Sequence, residues 1–183
     1  YKVRAIGSNI SLDRFYLNID PVSVINELID ISQPIKDDKT IFIWPEGILP
    51  DISQKELIEF KWLFEDVLSK NHLLFIGINS QKTNKEKIDY FNSLSIYDYN
   101  LEILNFYNKN NLVPFGEFLP FENILKKFGL NIITNNHQSF SKGSDRNIIE
   151  IKKDNLSLKI LPLICYEIIY SGKIFKNPNF DLI

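Results

Sequence analysis

Three polar side chains follow apolar runs that have the length and composition of buried strands. Glu46 comes after "IFIWP", Lys109 after "ILNFYN" and Cys165 after "KILPLI". Because ligand sites in open α/β sheets lie beyond the strand ends, we expect these side chains to converge. A cysteine thiolate attacks carbonyl carbons, a glutamate takes and returns the proton, and a lysine stabilises the oxyanion and helps to keep the thiol ionised. The three residue types therefore predict covalent acyl chemistry, to which a helix starting after Cys165 would add its N-terminal amides.

Each of these residues also has a simpler structural interpretation. Free cysteine is among the most buried residue types, so Cys165 after four apolar residues fits a core position. Glu46 could cap the next turn, and Lys109 lies in an asparagine-rich stretch where a solvated lysine is the usual finding. Taken singly, none of the three residues indicates a catalytic site.

The stretch "NKNNLVPFGEFLPFE" (108–122) changes the balance, because it predicts a structured loop. Pro114, Gly116 and Pro120 restrict its backbone to turn conformations. It also places a second acid, Glu117, between two phenylalanines, where a carboxylate needs a cationic or hydrogen-bonding partner. We predict that Lys109 is that partner.

The elements that must position these residues alternate between strand and helix signals in the N-terminal half. Asp20 and Pro21 predict the start of one helix, and a capping box at 53–56 predicts the start of a second. The helical stripes are Val22, Ile25, Leu28 and Ile29, then Leu57, Phe60, Phe64, Val67 and Leu68; the strands are 2–10, 40–44 and 73–79. This β-α-β-α-β order predicts an α/β sheet with helices on its face.

After Asp89 the predicted elements become shorter. They are strands at 90–100 and 101–108 with a turn near Asn100, a short amphipathic helix at 121–129, a hairpin around 143–145, a strand at 156–167 and a helix from 168. Neither a linker nor an internal repeat interrupts the pattern. We therefore expect a single domain over residues 1–183.

Composition argues against several kinds of protein. A net charge of −2 provides no basic field to attract nucleic acid. A single cysteine excludes an internal disulfide, and with two distant histidines it makes no zinc cluster. No apolar run reaches the roughly 20 residues of a membrane-spanning helix. Because the chain contains no methionine, we expect it to be a piece of a longer protein.

Three motifs, in order along the chain, carry a resemblance to a known family. "WPEG" (44–47), "NKNNLVPFGEFLP" (108–120) and "ICYE" (164–167) resemble the carbon–nitrogen hydrolase (nitrilase) superfamily, and within it the apolipoprotein N-acyltransferase branch. "FNSLSIYD" (91–98) also resembles the segment that precedes the lysine motif in that family. The resemblance covers nearly the whole chain, and it implies a four-layer αββα sandwich.

Matched residue by residue, the resemblance implies a catalytic triad. Glu46 corresponds to the general base, Lys109 to the lysine and Cys165 to the nucleophile. The implied supporting residues are Glu117, Tyr166 and Glu167. The implied enzyme takes an acyl chain from a phospholipid as a cysteine thioester and transfers it to the α-amine of diacylglyceryl-cysteine in an apolipoprotein. It uses neither a metal nor a diffusible cofactor.

The resemblance further implies a place in the cell. The family's catalytic domain follows a bundle of transmembrane helices in the bacterial inner membrane and faces the periplasm. We expect this chain to lack those helices and the C-terminal end of the domain, which carries the family's Asn-Asp-x-Trp-Phe segment. The apolar stretch 115–130 fits a lid that touches lipid as well as it fits a helix packed on the sheet.

Two other functions stay open on the sequence alone. One is a soluble amidase of the same superfamily that uses water as its second nucleophile. The other is an inactive, truncated remnant.

Overall fold

The computed structural model describes residues 1–8, 20–84, 87–121, 139–144, 146–153, 156–169 and 179–183. The strands are β1 (Lys2–Ala5), β2 (Thr40–Trp44), β3 (His72–Asn84), β4 (Lys87–Tyr97), β5 (Ile103–Asn108), β6 (Ile149–Lys153) and β7 (Leu156–Ile160). The helices are α1 (Pro21–Ser32) and two 3-10 helices, Glu56–Leu63 and Cys165–Ile169. The predicted α/β class is confirmed.

The apolar runs of β2 and β3 become central strands because both of their faces are buried. The main sheet has the order β1-β2-β3-β4-β5, in which β1, β2 and β3 are parallel and the two later pairs are antiparallel. Phe42 and Leu74 point into one apolar core, whereas Ile41 and Leu73 point into a second core on the opposite face. This period-2 alternation between two cores explains why residues 41–44 of β2 and 73–76 of β3 are all apolar.

Helix α1 covers the first core through Ile25, Leu28 and Ile29, as predicted, but Val24 is buried in place of the predicted Val22, which is half-buried. Asp20 caps it, since its carboxylate accepts the amides of Val22 at 3.2 Å and Ser23 at 3.3 Å. The buried apolar residues of the helix are Val24, Ile25, Leu28 and Ile29. Gln33 ends the helix in a left-handed conformation with φ 44°, and its amide donates to the Ile29 carbonyl.

The second predicted helix forms as a 3-10 helix rather than an α-helix. With three residues per turn, side chains at i and i+3 share a face, and Leu57, Phe60 and Leu63 accordingly pack on the first core. The expected capping box is present in part, because the Glu56 carboxylate accepts the Ser53 amide at 2.8 Å. The sequence stripe was compatible with both helix types, since it contained i+3 and i+4 spacings.

The turn predicted near Asn100 is confirmed, whereas the hairpin predicted around residues 143–145 is wrong. Residues 139–144 are not in a strand, and the hairpin is formed by β6 and β7. Gly143 resembles a hairpin glycine in the sequence, but its amide donates to the Lys109 carbonyl at 2.9 Å. A Cβ at this position would overlap with the Asn108 backbone, so Gly143 is needed for close packing against the end of β5.

The β6–β7 sheet covers the second core through Ile149, Ile151 and Ile160. The described layers are therefore helices, main sheet and second sheet, which agrees with three of the four layers that the resemblance implies. The strand predicted at 156–167 is shorter than expected, since β7 ends at Ile160. The helix predicted at 121–129 and most of the one predicted after 168 lie outside the described residues. Among the described residues, none of the helices combines the length and hydrophobicity needed to cross a membrane.

Candidate active site

Glu46 follows β2 in a turn that lies against β3. Gly47 has φ 60°, a left-handed conformation that glycine adopts without steric cost, and its amide donates to the Gly77 carbonyl at 3.0 Å. Gly77 makes this approach possible, because a Cβ there would overlap with the Glu46 Cα. The Glu46 side chain, 34% exposed, is thereby held at the carboxyl end of the central strands.

Lys109 follows β5 and is almost completely buried, with 1% of its surface exposed. Its Nζ lies 3.1 Å from Glu46 Oε1 and 3.0 Å from Glu117 Oε1. Burial disfavours the ammonium charge, but the Glu46 and Glu117 carboxylates outweigh that effect and raise the pKa of Lys109. The ion pair predicted between Lys109 and Glu117 is present, and Glu46 shares the same ammonium.

The loop after Lys109 is ordered by its own backbone around Glu117. Glu117 Oε2 accepts the Val113 amide at 2.8 Å. The Glu117 amide donates to the Val113 carbonyl, and its carbonyl accepts the Phe140 amide, both at 2.8 Å. Glu117 is therefore positioned by hydrogen bonds on one side and by the Lys109 charge on the other.

Cys165 begins the second 3-10 helix with φ 50°, a conformation that is uncommon for a residue with a Cβ. Its side chain is exposed, which contradicts the core interpretation. Partial burial and the nearby, hydrogen-bonded Glu46 carboxylate raise the pKa of the Cys165 thiol, whereas the Lys109 charge and the Tyr166 amide act in the opposite direction. Lys109 therefore acts on the thiol pKa in the predicted direction, but burial and Glu46 outweigh it.

The closeness of the Cys165 thiol and the Glu46 carboxylate has a direct chemical consequence. A neutral thiol beside the Glu46 carboxylate can lose its proton to that carboxylate as the sulfur attacks, without a thiolate formed in advance. The arrangement can thus support general base catalysis of thiol attack. Lys109 is close enough to compensate negative charge at the same place.

Glu167 is fully buried two residues after Cys165 and joins three segments of the chain. Oε1 lies 2.8 Å from Tyr107 Oη, 3.0 Å from the amides of Asn110 and Asn111 and 3.0 Å from Arg146 Nη2, and Oε2 lies 3.0 Å from the Ile164 amide. The segment that follows Lys109 is thereby tied to the segment that leads to Cys165. Burial and the Glu167 carboxylate raise the pKa of Tyr107 to about 12. Tyr166, by contrast, directs an exposed side chain to solvent.

Four residues of this region escaped the sequence analysis: Gly77, Asn92, Tyr107 and Arg146. Asn92 Nδ2 donates to Glu46 Oε1 at 2.6 Å and to Glu117 Oε1 at 2.5 Å. The signal that could have found it is a polar residue inside the strand "YFNSLSIY", close to serines that are also buried. In the described part of the chain, no three His, Cys, Asp or Glu side chains are grouped so that they could hold a metal ion.

Curated relatives are similar in sequence to this chain over most of its length. An apolipoprotein N-acyltransferase of Rhodopseudomonas palustris is 32% identical over 145 residues, which cover 78% of this chain and 26% of that protein. Another, of Wigglesworthia glossinidia brevipalpis, is 33% identical over 190 residues, which cover 98% and 35%. The chain is homologous to apolipoprotein N-acyltransferases. It spans about a quarter to a third of the length of these relatives, and no protein-family model matches it.

Solved structures are more distant than these sequence relatives. The glutamine-dependent NAD+ synthetase of Acinetobacter baumannii is 18% identical with a TM-score of 0.49, over 88% of this chain and 28% of that one. XC1258 of Xanthomonas campestris, a CN-hydrolase superfamily protein, is 17% identical with a TM-score of 0.44, over 81% and 48%. Scores below 0.5 do not establish a common fold, so the α/β class rests on the strands and helices described above.

Proposed function

We propose that the chain is the catalytic domain of a phospholipid-dependent N-acyltransferase that completes the acylation of apolipoproteins. The observation that carries the proposal is the buried Lys109, which joins Glu46 to Glu117 while the Glu46 carboxylate lies beside the Cys165 thiol. The reaction class comes from the names of the curated relatives. In this proposal Glu46, Lys109 and Cys165 are the catalytic residues.

The first half-reaction transfers the acyl chain to the enzyme. Cys165 Sγ attacks the ester carbonyl carbon of a phospholipid while its proton passes to Glu46. Lys109 Nζ, which also serves both carboxylates, compensates the oxyanion of the tetrahedral intermediate. When the C–O bond breaks, Glu46 returns the proton to the leaving glycerol oxygen, so that a thioester and a lysophospholipid result.

The second half-reaction passes the acyl chain to an amine. The α-amine of an S-diacylglyceryl-cysteine at the N-terminus of an apolipoprotein attacks the thioester carbonyl. Glu46 accepts a proton from the attacking nitrogen and gives it to the departing Cys165 sulfur, which leaves an amide and the free thiol. Glu117, Tyr166 and Glu167 support the site without exchanging protons with the substrate.

Apolar surface around the loop that follows Lys109 supports a lipid substrate. A cleft of about 430 Å³ beside this loop is lined in part by Leu112, Phe118 and Phe140. Phe115 and Phe121, on the same loop, are 71% and 76% exposed. An acyl chain would remove such surface from water, which is favourable in proportion to the area buried.

The proposed substrates also suggest where the domain works. Both the phospholipid donor and the diacylglyceryl acceptor are anchored in a bilayer. We infer that residues 1–183 form a nitrilase-like domain that acts at the periplasmic face of the bacterial inner membrane, to which the parent protein would attach it.

Labelled phospholipid provides the test. The protein, expressed from its complete reading frame and held in detergent micelles, is incubated with phospholipid that carries the label in its acyl chain. We expect label on the protein that hydroxylamine removes, as a thioester requires, and no label on Cys165→Ala. A synthetic diacylglyceryl-cysteinyl peptide should then take the label from the protein.

Three outcomes would contradict the proposal. Label retained by Cys165→Ala would exclude Cys165 as the nucleophile. Release of free fatty acid regardless of the peptide would favour a hydrolase of the same superfamily. Absence of label from the folded protein would favour an inactive remnant.

A further inference from the structure

We propose that Asn92 is a positioning residue that holds the Glu46 carboxylate in the orientation needed to take the thiol proton. The inference rests on the proposed function, which assigns that proton transfer to Glu46. It concerns a residue in the segment "FNSLSIYD", whose resemblance to the family carries no role for this asparagine.

The main chain of Asn92 holds this residue between β3, which the Glu46 turn contacts, and the end of β5, which leads to Lys109. On β4 it pairs with Asn79 of β3, two residues after Gly77, the residue against which the Glu46 turn packs. On the other side its carbonyl accepts the Lys109 amide at 2.8 Å. Asn92 is 8% exposed, so few other side-chain orientations are open to it.

The side chain of Asn92 duplicates the contacts of Lys109 without its charge. Each of the two Nδ2 hydrogens has a carboxylate acceptor, Glu46 Oε1 at 2.6 Å and Glu117 Oε1 at 2.5 Å. These are the same oxygens that Lys109 Nζ approaches at 3.1 and 3.0 Å. Asn92 and Lys109 therefore join both carboxylates from two directions, and only Lys109 changes the net charge of the cluster.

The consequence lies in which Glu46 oxygen can accept a proton. Two donors occupy Oε1, so its lone pairs are already engaged. Oε2 is not used by Lys109 or Asn92 and is the oxygen left to receive the proton of the Cys165 thiol. Since a third of the Glu46 side chain is in contact with solvent, loss of the Asn92 bond would let the carboxylate rotate away from the thiol.

The neighbouring residue supplies a matched control. Ser93 Oγ lies within hydrogen-bonding distance of Asn108 Oδ1, at 2.7 Å, and of Ser80 Oγ, at 2.8 Å. Like Asn92 it is buried and lies on β4, but the partners of its hydroxyl are Ser80, Asn108 and the Phe91 carbonyl rather than Glu46 or Glu117. Ser93→Ala therefore reports what a lost hydrogen bond in β4 costs by itself.

The test uses two readouts on the full-length protein, with Asn92→Ala and the isosteric Asn92→Asp. Asn92→Ala should lower the single-turnover rate of thioester formation by about tenfold or more with little change in KM, a part of the 10²–10⁴-fold that general acid–base catalysis contributes. Asn92→Asp should lower it further, because it replaces the donor by a third carboxylate. Ser93→Ala should stay within about twofold of the wild type.

The second readout needs no acyl substrate and so separates this inference from the proposed function. Iodoacetamide alkylates Cys165 only as the thiolate, so the rate against pH reports the thiol directly. Asn92→Ala should shift the midpoint in the same direction as Glu46→Gln, whereas Ser93→Ala should leave it in place. Wild-type alkylation and acylation profiles in Asn92→Ala and Asn92→Asp, both folded by circular dichroism, would overturn the inference.

Discussion

Two carboxylate clusters are associated with Cys165: Glu46 lies near its thiol, and Glu167 binds the amide of the preceding residue. They differ in how fully their oxygens are used. Glu167 has no exposed surface and receives four hydrogen bonds and the Arg146 ion pair on its two oxygens. Glu46 is a third exposed and receives Lys109 and Asn92 on one oxygen only. Glu167 therefore has little capacity left to accept a proton, whereas Oε2 of Glu46 is used by neither Lys109 nor Asn92, and the Glu46 carboxylate lies near the Cys165 thiol.

The difference separates a structural role from a chemical one, although the residue type is the same. A saturated, buried carboxylate is costly to protonate or remove, because its donors would lose their acceptor. It is therefore suited to holding the Lys109 and Cys165 segments together. A carboxylate with one open oxygen is suited to proton transfer, provided that its other oxygen is fixed, as Lys109 and Asn92 fix it here.

The largest effect on stability is expected from removing Glu167, whose two carboxylate oxygens both accept hydrogen bonds. Glu167→Ala leaves the Arg146 charge buried without its carboxylate, and four donors lose their acceptor. Removing one partner of a buried pair costs about 3–5 kcal/mol, so the free energy of unfolding in urea should fall by about that amount. This is a large share of the 5–15 kcal/mol that is typical of a folded domain.

The control for this prediction is an exposed ion pair on β6. Glu150 lies 3.2 Å from Lys152, and both side chains are solvent-exposed, so Glu150→Ala should change the free energy of unfolding by less than about 1 kcal/mol. If Glu167→Ala is no more destabilising than Glu150→Ala, the Glu167 cluster does not hold the loops together, and the contrast with Glu46 fails.

The two clusters also differ in what their sequence reveals. Glu46, Lys109 and Cys165 could be predicted because apolar runs mark the ends of the strands that carry them. Arg146 could not, since its partner is distant in sequence and no local pattern announces a buried ion pair. The net effect on the thiol pKa could not be predicted either, because it depends on how far the thiol is buried and on its distances from Glu46 and Lys109.

The fold likewise contains some features that the sequence predicts and others that depend on packing. The strands β2 and β3 and the cap of α1 follow from local signals that agree with one another. The hairpin was misplaced because a Gly-Ser pair suits both a tight turn and a close backbone approach, and only the packing against Asn108 distinguishes them. The choice of a 3-10 helix at Glu56–Leu63 likewise depends on how the first core receives it.

A medium effect is expected where the Glu46 turn meets β3. Gly77→Ala places a methyl group on the Glu46 backbone, so the turn must move, and overpacking of this kind costs about 1–3 kcal/mol. Glu46 should also lose its contact with the thiol, which the pH profile of Cys165 alkylation would report. Gly116→Ala is the matched control, because its Cβ would meet its nearest atom, of Val113, at an ordinary 3.5 Å.

For this pair of variants, denaturation in urea is the decisive measurement. Equal unfolding free energies for Gly77→Ala and Gly116→Ala would contradict the close approach of Glu46 to β3. The position of the Glu46 carboxylate would then depend only on its side-chain contacts with Lys109 and Asn92, and Asn92 would contribute more to it than argued above.

The smallest and most specific effect concerns the charges around the thiol. The raised pKa of Cys165 means that a smaller fraction is thiolate at a given pH than for an ordinary cysteine, so iodoacetamide should react with it more slowly near pH 8. Glu46 contributes to the rise and Lys109 opposes it. Glu46→Gln should therefore move the alkylation midpoint to lower pH and speed the reaction, whereas Lys109→Met should move it to higher pH and slow it.

Since Glu167 is not among the groups that shift this thiol, a Glu167→Gln variant that still folds should leave the midpoint near that of the wild type. Shifts of the same sign in the Glu46 and Lys109 variants would mean that the thiol senses a rearranged loop rather than two opposed charges.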